Sequence, residues 1–212
     1  MKPIHKFFDR IIENDLDSLF DYLTQIQKDI LYKNIFNVPE EKLSKYNELN
    51  GAPTQLGSYY NIFNLEHEGL SSLRVALKEM AVEASEYYGY SFDEQDYYIH
   101  GWFNLDHKTE GEKVSPLSKP NHFHDHSGGM GSPYLHGYYC VNAEPSSTFY
   151  KIDNKEEIFE NINKNNRAIV SETGHPHGRD DWYQDKPRIT IAYDITPRNN
   201  LGSIGDGQWI QL

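Results

Sequence analysis

The hydrophobic period of this chain changes once, at Gly89, and that change constrains the fold more than any other feature. Before it, apolar residues recur at helical spacing. Leu16, Leu19, Phe20, Leu23 and Ile26 fall on one helical face, with Asn14 or Asp15 placed to cap the start. Leu70, Leu73, Leu77, Met80, Ala81, Ala84 and Tyr87 define a second helix, and Gly89 stands where a helix-ending glycine belongs. The connector between them, 34–57, is loop-rich with a short helix near 40–46. After Gly89 the segments are short, rich in Tyr, Ile, Val and Trp, and bounded by Gly, Pro, Asn and Asp. They predict strands over 97–104, 134–142, 148–152, 167–172 and 188–195, with a late one at 208–212. In the run from Arg188, residues Ile189, Ile191 and Tyr193 share one face, and Thr190, Ala192 and Asp194 the other.

Helices first and strands after is the α+β pattern, and strands this close together suit an antiparallel sandwich or jelly roll rather than βαβ units. We therefore expect one domain over 1–212, in which a mainly helical part (1–90) packs on a jelly-roll core (91–212).

Charge narrows the partners. The chain has 212 residues and a net charge of −12, which argues against nucleic acid as an obligate partner and against anionic membrane surfaces. No apolar run is long enough to span a bilayer, and the first residues lack a signal-peptide apolar core, so a cytoplasmic location is expected. Cys140 is the single cysteine, which excludes an internal disulfide and a cysteine-based zinc site. A homodimer is the base expectation for assembly.

The ionisable residues concentrate in two places. Asn121-His122-Phe123-His124-Asp125-His126-Ser127 holds four potential metal ligands in five positions. In an extended segment His122 and His124 share a face, as do His124 and His126, whereas Asp125 points the other way unless the backbone turns. A second pair, His175-Pro176-His177, follows about 50 residues later. Imidazoles suit Fe, Zn, Cu or Ni, and a nearby carboxylate tilts the choice towards non-haem Fe(II). Two ligands from one strand end and one from a distant strand leave positions open for oxygen chemistry. Arg188, eleven residues past His177, offers a planar fork for a carboxylate, and Thr190 adds a hydroxyl on the same face. The loop 106–121 reads as a mobile lid.

Five motifs in order carry a resemblance. They are Trp102-Phe103-Asn104, His122-Phe123-His124-Asp125-His126-Ser127, Gly137-Tyr138-Tyr139, the late His177-Gly178, and Arg188-Ile189-Thr190. In them the C-terminal 115 or so residues resemble a poorly characterised group within the 2-oxoglutarate/Fe(II)-dependent oxygenase superfamily. The resemblance implies a double-stranded β-helix with flanking helices, and Fe(II), 2-oxoglutarate and O2 as the reacting set. It makes His177 the distal iron ligand, with His175 as its rival, and pairs Arg188, assisted by Thr190, with the far carboxylate of 2-oxoglutarate. It also assigns Tyr139 to cofactor binding, and no catalytic residue beyond the ligands. For the proximal pair, His122 and His124 match the group's register best. Asp125 and His126 stay open as rivals, because the superfamily's usual His-x-Asp/Glu does not occur in the cluster. The implied activity is hydroxylation of a small molecule or protein side chain with release of succinate and CO2. The alternatives are a cupin-like metalloenzyme that does not use 2-oxoglutarate, a non-catalytic jelly-roll binding module, and a degenerate member without iron.

Overall fold

The computed structural model describes residues 5–46, 52–89, 96–111, 123–126, 134–152, 158–203 and 208–212. Two long helices form as the periodicity predicts. Helix α1 (Leu16–Lys33) opens on Asp15, whose carboxylate accepts from the Ser18 amide at 3.0 Å, a cap worth about 1 kcal/mol. Short helices α2 (Glu40–Leu43) and α3 (Ala52–Gln55) occupy the connector. Helix α4 (Glu68–Tyr88) is capped by His67, whose ring accepts from the Gly69 amide, and ends at Gly89 with φ +75°. Only glycine adopts that left-handed turn without cost.

The strands make two antiparallel sheets. In chain order they are β1 (Phe8–Ile11), β2 (Tyr97–Asp106), β3 (Leu135–Asn142), β4 (Ser147–Lys151), β5 (Ile158–Ile162), β6 (Arg167–Glu172), β7 (His177–Arg179), β8 (Arg188–Pro197) and β9 (Ile210–Gln211). The large sheet runs β1-β6-β3-β8-β2-β9 and the small one β5-β4-β7. A bridge between His124 and His177 lays the segment 123–126 along the free edge of β7. The N-terminal part is thus not wholly helical, since β1 pairs with β6 and widens the large sheet.

Strand alternation sorts the interior into two layers. Ile189, Ile191, Tyr193 and Ile195 of β8 join Phe103 and Leu105 of β2 and Leu135, Tyr139 and Val141 of β3 in one core with the helices. Leu19, Leu23 and Ile30 of α1 and Leu70, Leu73, Leu77 and Met80 of α4 fill it from the other side. The opposite face of the large sheet looks at the small sheet across a second, smaller core of Tyr138, Cys140, Ala143, Tyr150 and Ile169. Cys140 is fully buried there, and burial pushes its thiol up to about 11. Arg188, Thr190 and Asp194 share this inner face, as the alternation predicts.

Gly137 fixes how closely β3 and β6 approach. A Cβ there would lie 1.8 Å from the Ile169 carbonyl oxygen and 2.6 Å from Cε2 of Tyr193, whose hydroxyl donates to that same carbonyl at 2.9 Å. The obstacle is largely backbone, so it cannot swing aside. Gly137→Ala should therefore destabilise the fold by about 3 kcal/mol, read as a lowered urea midpoint at unchanged slope. A midpoint equal to wild type would show that the sheet yields there at no cost.

Candidate metal centre

The segment 123–126, the start of β7 and the inner faces of β3 and β8 converge at one end of the barrel. Cross-strand partners point to the same side, so the His124–His177 bridge puts both imidazoles on the inner face. His126, two residues on, joins them. Ring centroids lie 4.5 Å apart for His124 and His177, 5.2 Å for His126 and His177, and 5.5 Å for His124 and His126. Each offers a ring nitrogen, and these atoms lie within 4.8 Å of one another. A fourth imidazole, His136 of β3, sits 4.7 Å from His177 and 4.0 Å from His126.

Asp194 organises the cluster from β8. Nδ1 of His126 and Nδ1 of His136 each lie 2.9 Å from its Oδ1. A carboxylate only accepts, so both Nδ1 atoms donate; His136, lowered by burial, keeps its Nε2 lone pair, whereas Asp194 favours a second proton on His126. Nδ1 of His177 meets the His175 carbonyl at 3.2 Å, which likewise leaves Nε2 of His177 free of a proton. Trp102 stacks on His126 at 5.7 Å and holds that ring from the side.

Electrostatics separates these rings. Burial drives His177 well below the ordinary histidine range, and the neighbouring imidazoles add to that. His136 is lowered to about 4, again by burial first. For His126 burial opposes the charged form, but the Asp194 charge and hydrogen bond outweigh it and raise the ring. Asp194 itself is held below the usual carboxylate range, its burial outweighed by His126 and His136. Near neutral pH, His177 and His136 are therefore neutral donors, as metal ligation requires.

Deeper along the same inner face lies a basic pair. Arg188, 2% exposed, donates from Nη1 to Asp106 and from Nε to Ser146, both at 3.4 Å. Arg179 donates to the other Asp106 oxygen at 2.5 Å. Burial, offset by Asp106 and reinforced by Arg188, holds Arg179 below its ordinary range. Two guanidinium groups share the Asp106 carboxylate, so the pair carries more positive charge than Asp106 cancels. Thr190 accepts from Asn104 at 3.2 Å beside them.

The sequence-predicted residues divide accordingly. His124, His126 and His177 come together, while His175 groups instead with His5 and Glu172. His122 and most of the lid lie outside the described residues, and Asp125 is in none of the ligand groups among them. Tyr139 faces the helices, its hydroxyl donating to Asn166 at 2.6 Å and accepting from Asn14 at 3.0 Å. The strand's inward tyrosine is Tyr138, near Arg188. His136 and Arg179 are absent from the sequence expectations, and Asp194 enters them only by its strand face. Their signal was parity: Asp194 shares its strand face with Arg188, and Arg179 shares its face with His177.

The sequence matches no protein-family model and no curated protein. Solved structures do match. A Pseudomonas putida prolyl-4-hydroxylase aligns with a TM-score of 0.52 at 8% identity, over 92% of this chain and 86% of that one. The nickel complex of the non-heme monooxygenase ThoJ aligns at 0.50 and 8%, over 92% and 77%. The non-heme alpha ketoglutarate dependent carbocyclase SnoK from nogalamycin biosynthesis aligns at 0.50 and 8%, over 92% and 81%. At such identity the likeness is one of fold. This chain has the double-stranded β-helix of these enzymes, with helices packed on the outer face of its larger sheet.

Proposed function

We propose that the protein is an Fe(II)- and 2-oxoglutarate-dependent oxygenase that hydroxylates a substrate entering at the open end of the barrel. The observation that carries this reading is the pairing of two features on one inner surface. One is a cluster of imidazoles with neutral members; the other is an arginine pair, buried Arg188 and partly exposed Arg179, that shares one carboxylate.

The donor set fits a borderline transition metal. His124, His126 and His177 would hold the iron through ring nitrogens, His126 after giving up the proton that Asp194 favours. When bound, iron with 2-oxoglutarate supplies O2 activation, coupling oxidation of the cosubstrate to succinate and CO2 with insertion of the second oxygen atom into a substrate C–H bond. The chain's own residues set the conditions. Asp194 fixes the tautomer and tilt of His126, the role a carboxylate behind a ligating histidine plays. Arg188 and Arg179 receive the far carboxylate of 2-oxoglutarate, with Thr190 and Ser146 as hydroxyl neighbours. Tyr138 and Tyr150 wall the space apolar and keep water out. A small pocket lined by Tyr150, Ser171, Glu172, Thr173 and His175 reaches His126, His136 and His177.

Anaerobic addition of Fe(II) and then 2-oxoglutarate should produce a visible charge-transfer band that fades when O2 is admitted and succinate accumulates. Iron binding without a band would overturn the reading in favour of a metalloenzyme that does not use 2-oxoglutarate. No iron binding would leave the binding-module and degenerate readings. Arg188→Ala should weaken 2-oxoglutarate about a hundredfold, the cost of about 2–3 kcal/mol for a lost charged hydrogen bond, with iron affinity unchanged. Equal 2-oxoglutarate affinity in that variant would remove Arg188 from the role. Asp194→Asn should bind iron about tenfold more weakly while keeping 2-oxoglutarate selectivity. Unaltered iron affinity would make Asp194 structural only.

A further inference from the structure

A second ligand cluster lies beside the first and shares none of its residues. Glu172 ends β6, His175 sits in the turn before β7, and His5 belongs to the segment that leads into β1. Their ligand atoms lie within 4.8 Å of one another. The rings of His5 and His175 meet edge to face with centroids 4.0 Å apart. All three residues are half-buried, and both ring nitrogens of His5 lie out of contact with solvent.

Three separate constraints bring them together. The antiparallel pairing of β1 with β6 returns the N-terminal segment to the end of β6. Phe7 then packs on Tyr150 at 4.7 Å and stacks on Phe159 at 5.1 Å, which anchors the segment across the gap between the sheets and presents His5 to the β6–β7 turn. In that turn the His177 ring bonds to the His175 carbonyl, and the two imidazoles go to different groups.

We propose that His5, Glu172 and His175 bind a divalent transition ion of the zinc class, at a site distinct from the one formed by His124, His126 and His177. Two imidazoles and one carboxylate are a donor set for Zn(II) and its neighbours, with at least one position left to water. Hard ions such as Mg(II) and Ca(II) prefer all-oxygen shells, so the imidazoles disfavour them. The acidic chain, at −12, raises the local concentration of any cation. Glu172 and His175 also line the pocket that reaches the imidazole cluster, so an ion here would pin the N-terminal segment to the pocket's lip.

The test counts ions. Full-length protein is dialysed to equilibrium against Zn(II) and its metal content measured, for wild type and for His5→Ala, Glu172→Gln and His177→Ala. Wild type should hold two ions per chain; His5→Ala and Glu172→Gln should each lose one; His177→Ala should lose the other and keep this one. Wild-type stoichiometry in both His5→Ala and Glu172→Gln would overturn the proposal, as would a single ion lost only in His177→Ala. A single ion lost in His5→Ala but kept in His177→Ala would support this site while telling against the iron site. The two readings therefore fail separately.

Discussion

Strand β8 has two incompatible faces, and the architecture follows from keeping them apart. Ile189, Ile191, Tyr193 and Ile195 need a dry partner, which the helices supply. Arg188, Thr190 and Asp194, one residue out of phase, need polar partners within a structure that buries them. A slip of one residue in the β2–β8 ladder would drive the charges into the helix layer and the isoleucines into the site. The ten-residue pairing from Tyr97–Pro197 to Asp106–Arg188 makes such a slip prohibitive, and it also delivers Asp106 to Arg188. The same long ladder that stabilises the sheet therefore sets the distance between the two ends of the site.

Buried charge is distributed with a purpose in this interior. At the open end, several imidazoles gather around one carboxylate, Asp194. At the other end, buried Arg188 and the partly exposed Arg179 gather around another, Asp106. In both places the cationic or proton-bearing groups outnumber the acid. That imbalance costs folding free energy in a medium of low polarity. It is the arrangement expected of a surface that awaits electron-rich ligands, and it contrasts with the acidic exterior.

Much of this was legible in the sequence where a period was sustained. The two long helices, the stop at Gly89 and most long strands follow from spacing alone, and of the two cap candidates, Asn14 and Asp15, the structure uses Asp15. Strands β5 and β7 are hidden for physical reasons. β7 is three residues long and exists through its pairing with β4 and the His124 bridge, neither visible locally. β5 reads Ile-Phe-Glu-Asn-Ile, with exposed residues on both faces, so it shows no buried stripe. Within the candidate site, strand parity makes the shared face of Arg188 and Thr190 legible, and the His-rich motifs point to the residues that group as His124, His126 and His177. Tyr139, which the resemblance assigns to cofactor binding, faces the helices together with Val141. His136 and Asp194 were hidden because each acts through a partner 58 residues away in the chain.

The burial of Cys140 bears on how the molecule comes apart. Its thiol lies between the sheets, on the side away from the helices, and ionises only near 11. At pH 7 the reactive thiolate is therefore far scarcer than for a free cysteine. Because it is the single thiol in the chain, any modification reports one event, the parting of the two sheets. Loosening of the helical layer leaves it covered. The chain thus carries a chemical clock for its inner layer alone, and can register whether the barrel and its helical jacket open together or in succession.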